Sequence, residues 1–115
     1  MFMPARELYG MHSLDTVAFG GDVDRMRGAK RRLNSMSRLS NVGAEGVRKP
    51  VQLVHGSDEE IARFKPPEVS VAVANGNHRV TAAYDANPDM EVPVEHYDSP
   101  TKLFPAMRQQ DVSGW

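Results

Sequence analysis

Apolar residues fall in two rhythms along this chain, and together they predict a mixed set of strands and helices. Residues 69–74, Val-Ser-Val-Ala-Val-Ala, are small or β-branched and mostly apolar, which suits a short buried strand. Asn75-Gly76 then supplies a turn, because both residues tolerate positive φ, and Asn77 is placed to cap a helix carrying Val80, Ala82, Ala83 and Tyr84. Asn87-Pro88 stops that helix. Local chemistry leaves a second reading open, in which Asn75-Gly76 is a hairpin turn and residues 78–84 return as a strand; Val80-Thr81 favours it and Ala82-Ala83 opposes it.

Upstream the period changes. Val23, Met26, Ala29 or Lys30, Leu33, Met36 and Leu39 recur at three- and four-residue steps, predicting a helix over residues 23–39 with Asp22 as its cap and Gly28 as its weak point. A loop follows over residues 43–46, and residues 49–55 read as a strand after Pro50. Residues 56–60, Gly-Ser-Asp-Glu-Glu, read as a turn into a short helix that Pro66-Pro67 ends. Alternation over residues 91–97 predicts another strand, with Pro93 best tolerated at an edge or a bulge. Leu103, Phe104, Met107 and Trp115 are expected to pack back on the core, since a tail exposing aromatics costs solubility, although a partner-binding tail fits the same residues. Around Phe2, Leu8 and Tyr9 the pattern allows a short helix or a frayed end. The fold class expected is α+β: one small domain with a mixed β-sheet flanked by short helices.

Charge changes this picture more than composition does. At 115 residues, 40% hydrophobic and 25% charged, the chain has the make-up of one globular domain. Its net charge of −1 conceals an asymmetry. Eight basic residues (Arg25, Arg27, Lys30, Arg31, Arg32, Arg38, Arg48, Lys49) stand against the single acid Glu45 over residues 25–49, whereas residues 85–98 carry five acids and no Lys or Arg. These blocks either neutralise one another in the fold or form opposite faces. Arg25, Arg31, Arg32 and Arg38 lie largely off the apolar stripe, so they are either a solvated face or a contact for a DNA backbone. No aromatic interrupts them to stack on bases. The chain has no cysteine, which excludes thiolate chemistry and fits a cytoplasmic protein; it also lacks a membrane-spanning apolar run and a signal-peptide core.

Candidate chemistry concentrates at the junction of residues 75–79. The N–H groups opening a helix after Gly76 would face the same space as His78 and Arg79, a favourable place for an anion, with Thr81 either packing in the helix or donating to a phosphate. The four histidines, His12, His55, His78 and His96, lack close metal-ligand spacing, so no metal site is predicted. Asp85, Asp89 and Glu91 offer oxygen ligands for Mg²⁺ near a bound nucleotide, or simply cover a surface.

Asn75-Gly76-Asn77-His78-Arg79, followed by Ala82-Ala83-Tyr84 and then Glu91-Val92-Pro93-Val94, resembles the core motif of the ParB/sulfiredoxin-like superfamily. There a glycine and a basic pair open a helix after a strand, and a Val-Pro-Val strand follows. The helix from Val23, then Gly46 and Lys49-Pro50-Val51-Gln52-Leu53, resembles the segment that precedes that motif. The likeness covers residues 22–98, with residues 1–21 as an N-terminal segment and 99–115 as a C-terminal one packed on the core. It departs from sulfiredoxins, where a cysteine stands at the place of Asn77, so that activity is excluded. ParB proteins proper have a glycine, an acid and two arginines where this chain has Gly76, Asn77, His78 and Arg79. The resemblance implies a phosphate-binding module for nucleotide or nucleic acid, using Asn75, Gly76, Asn77, His78, Arg79 and Thr81. It also implies two alternatives: a metal-dependent nuclease or nucleotide hydrolase with His78 as acid or base, and a phage or mobile-element protein that binds a host or partner protein.

Overall fold

The computed structural model describes residues 1–33, 42, 46–55 and 69–112. In chain order these form β1 (Phe2–Pro4), α1 (Ala5–Tyr9), a 3-10 turn (Thr16–Phe19), α2 (Val23–Leu33), β2 (Val51–His55), β3 (Val71–Asn75), α3 (Asn77–Ala86), β4 (Glu91–Tyr97) and α4 (Pro100–Val112). The predicted residues 34–39 of the long helix, including Arg38, the loop over 43–45, the short helix after residue 56 and the terminal Trp115 lie outside the described residues.

Alternation along the strands explains the layering. The sheet has the order β1-β4-β2-β3, with β2 parallel to β4 and the β1–β4 and β2–β3 pairs antiparallel, so it is mixed. Val51 and Leu53 of β2, Val73 of β3 and Val92 and Val94 of β4 bury their side chains in one core with Ala5 and Leu8 of α1 and Val80, Ala82 and Ala83 of α3. Val54, Ala72 and Ala74 point the other way and meet Leu103 of α4, flanked by Leu14, Tyr97, Phe104 and Met107. Side chains two apart on a strand share a face, and each face has its own helical cover. The result is a small compact α+β domain.

The turn after β3 resolves the two readings of residues 75–84. Gly76 adopts φ 106°, and the chain runs directly into α3, ending at Ala86 before the predicted Asn87-Pro88 stop. The hairpin reading is therefore wrong: the strand beside β3 is β2, and residues 78–84 are helical. Small Ala82 and Ala83, poor on a strand, let α3 lie close on the sheet, where both are buried.

Three other expectations need correction. Pro93 is not on an outer strand, because β4 lies between β1 and β2. β1 pairs with residues 91–93 and β2 only with residues 94–97, and the Val94 N–H donates to the Met1 carbonyl on the β1 side. Alternation then turns the Pro93 nitrogen toward β2 one residue before that ladder starts, so no ladder hydrogen bond is lost. Leu33, assigned to the apolar stripe of α2, is 69% exposed, while Arg27 is fully buried beside Met26. The chain start is neither frayed nor only helical: β1 joins the sheet, and the Ala5 and Arg6 N–H groups donate to the Met90 and Pro88 carbonyls.

Candidate functional site

The β3–α3 junction holds most of the predicted site. A side chain at Gly76 would be strained at its positive φ and would also have no room: a Cβ there would lie 2.8 Å from Arg79 Nη2 and 3.2 Å from both Arg79 Nε and Val51 Cγ2. Only glycine lets the guanidinium fold back over the turn. Arg79 is buried, and its Nη2 donates to the Pro50 carbonyl at 3.4 Å. The turn thus ties the start of α3 to the chain entering β2, next to Lys49 and the exposed Arg48. No side chain caps α3, since its N-cap residue is Gly76. His78 and Gly76 remain partly open to solvent.

Asn77 does a different job from the one its sequence position implies. It is the first residue of α3 rather than its cap, and its buried amide faces α2: Asn77 Oδ1 accepts from Arg27 Nη1 at 3.1 Å, and Nδ2 donates to Asp15 Oδ2 at 3.3 Å. Lys30 Nζ approaches the same Asp15 oxygen at 2.8 Å. Thr81 is buried, and its hydroxyl donates to the Asn77 carbonyl at 3.0 Å, so it packs within the helix. Asn75 also turns elsewhere, donating through Nδ2 to Gln52 Oε1 at 2.9 Å. Gln52 in turn donates to Glu95, which also accepts from the Tyr97 hydroxyl, forming a polar chain across β3, β2 and β4. Burial and that bond to Glu95 raise the Tyr97 phenol above its ordinary range.

Arg27 is the residue that sequence reasoning missed. Its Nε donates to the Tyr9 carbonyl at 3.0 Å, and Nη2 to the carbonyls of Leu8 at 2.9 Å and Met11 at 3.3 Å. These carbonyls lie at and just beyond the C-terminal end of α1, where the Leu8 carbonyl also accepts from the Met11 N–H at 3.2 Å. Burial draws the Arg27 guanidinium down to about 10. A signal was present in the sequence: Arg27 follows Val23 by four residues and Met26 by one, which puts it on the inward side of α2.

The other arginines of the basic block divide. Arg31 makes a bidentate pair with Asp85, Nε to Oδ2 and Nη2 to Oδ1 both at 2.7 Å, and donates to the Tyr9 hydroxyl at 3.0 Å. These bonds, Asp85 first, raise its pKa above the ordinary range. The Tyr9 ring stacks on Tyr84 at 3.9 Å, completing a surface clasp between α1, α2 and α3. Arg25 and Arg32 are exposed on α2. The basic and acidic blocks therefore neutralise each other in part, through Arg31 and Asp85. Asp89 is likewise engaged, by Arg6, so these two acids hold arginines and are not grouped around a cation position. Among the described residues, no three His, Asp or Glu side chains come together as a metal-binding group. Among the same residues, no helix is long and apolar enough to cross a membrane.

No protein-family model, curated protein or solved structure matches this chain.

Proposed function

We propose that this domain is a phosphate-binding module of ParB/sulfiredoxin-like type that takes a nucleotide or a nucleic-acid backbone without catalysing its cleavage. One observation carries the reading: the Arg79 guanidinium lies against Gly76, at the positive end of α3. A bound anion is favoured both by the guanidinium and by the first-turn N–H groups of the helix. His78, on the same first turn and partly open to solvent, adds a donor. Order supports the reading too, since a helix, a strand that begins after Pro50, then strand, glycine, helix and strand follow the arrangement the motif implies. Binding is preferred to hydrolysis because Asp85 and Asp89 are held by Arg31 and Arg6. Exposed Arg25 and Arg32 supply the secondary contact for a longer polyanion.

Calorimetric titration with pyrophosphate, nucleoside triphosphates and short duplex DNA, with and without Mg²⁺, tests this directly. Arg79→Gln is expected to weaken binding about 10- to 100-fold, as loss of a charge-assisted contact should, while circular dichroism stays unchanged. For DNA, replacing Arg25 and Arg32 by Ala should flatten the dependence of affinity on salt. Wild-type affinity in Arg79→Gln, or no binding across the panel below millimolar concentration, would sink the proposal.

A further inference from the structure

Away from the Gly76 turn, two histidines meet where the parallel strands β2 and β4 end. Leu53 is paired with His96, and His55 follows Leu53 by two residues, so both imidazoles lie on one face of the sheet. His55 Nε2 is 2.6 Å from His96 Nδ1, with ring centroids 4.8 Å apart. Two imidazole lone pairs cannot face each other at that distance unless a positive centre lies between them. The second nitrogen of His96 shows which atom is which. His96 Nε2 is 3.0 Å from Met1 Sδ, and a thioether sulfur can only accept, so in the neutral ring Nε2 carries the hydrogen and Nδ1 presents its lone pair to His55.

That is the tautomer a metal-binding histidine needs, with one nitrogen bare and the other held as a donor. Two nitrogens that ligate one ion at about 2.0–2.1 Å each lie about 3 Å apart at an ordinary ligand angle. The present separation needs to open by only a few tenths of an ångström, between side chains at the surface. Beside them is a cavity of about 340 Å³ lined by His55, His96, Tyr97, Asp98 and Lys102, which has room for an ion and its waters.

We propose that His55 Nε2 and His96 Nδ1 bind a divalent first-row transition-metal ion, an ability independent of the phosphate reading. His55 shifts its proton to Nδ1, so the ion replaces the hydrogen now shared between the rings. Water fills the remaining positions, and the Asp98 carboxylate in the cavity wall offsets the charge; Lys102, 3.8 Å from Asp98, is the opposing cation. Imidazole ligands favour Cu²⁺ over Zn²⁺ and discriminate against Mg²⁺.

Titration of the full chain with Cu²⁺, Zn²⁺ and Mg²⁺, read by calorimetry and by NMR of ¹⁵N-labelled histidine, provides the test. One Cu²⁺ or Zn²⁺ per chain is expected, Cu²⁺ the tighter, with the His55 and His96 signals perturbed first and no response to Mg²⁺. His55→Ala and His96→Ala should each weaken binding at least about tenfold, and affinity should fall as acid protonates the ligands. His55→Gln and His96→Gln repeat the measurement if an alanine variant loses its circular dichroism. Unchanged Zn²⁺ or Cu²⁺ affinity in the doubly substituted chain, or binding of neither ion below millimolar concentration, overturns the proposal.

Discussion

Arg27 and Arg31 lie one turn apart on α2, belong to the same basic block and have opposite surroundings. Arg27 is sealed among the carbonyls of Leu8, Tyr9, Met11 and Asn77, where burial disfavours its charge. Arg31 stands at the rim, where Asp85 and the Tyr9 hydroxyl favour its charge. The first gathers carbonyls at and beyond the end of α1, two of which, Tyr9 and Met11, it supplies with a donor; the second clasps surfaces already packed. Burial makes the inner arginine costly to place and costlier to remove, because its Leu8 and Asn77 acceptors are buried with it. The outer pair competes with solvent throughout.

Removal of Arg27 should therefore have the largest effect. Arg27→Met, which fills much of the space without donating, is expected to lower unfolding free energy by about 3–5 kcal/mol in urea titrations, since several buried acceptors lose their donor together. Stability equal to wild type would erase the contrast. A double-mutant cycle on Arg31→Ala and Asp85→Ala should give a coupling of about 1 kcal/mol or less; a value above about 2 kcal/mol would place the rim pair in the inner class. The smallest effect tests whether burial disfavours charge of either sign. Because the folded state raises the Tyr97 phenol, the unfolded chain loses this proton first, so the Tyr97 contribution is fully present below the usual phenol value of about 10 and is lost as pH rises through the folded one. Chemical denaturation between pH 9 and pH 11 should show stability falling, with a shallower slope in Tyr97→Phe; an identical slope would mean that burial at β4 is too slight to matter.

Much of the fold was legible because local chemistry and tertiary packing agree. The apolar run into Asn75-Gly76, the helix carrying Ala82 and Ala83, and the stop at Asn87-Pro88 each follow from residues in contact along the chain. Asp22 was readable as a cap, and its Oδ1 accepts from the Arg25 N–H. Leu103, Phe104 and Met107 do return to the core side of the sheet. What could not be read depends on distant partners. The spacing from Val23 marks Arg27 as inward, but the acceptors it meets are set only where α1 ends against it, and Asn77 looks like a cap until Arg27 of α2 and Asp15 before the 3-10 turn come alongside. The junction of Gly76 and Arg79 was legible as a motif, but the guanidinium folding over the glycine was not, since it needs Val51 and Pro50 from another strand. His55 and His96 are separated by 41 residues, so spacing alone could not pair them.

β4 is the fourth strand of the described chain and the second in the sheet, holding β1 on one flank and β2 on the other. During synthesis, therefore, only the β2–β3 pair can form early; β1, made first, has to wait for Glu91, Val92 and Pro93 to leave the ribosome before it has a neighbour. Such closure between distant positions slows folding, and Val54 of β2 stays without its Leu103 partner until α4 is made. A chain stopped before Glu91 would carry the antiparallel β2–β3 pair and a β1 without its neighbour, not a smaller version of the same sheet.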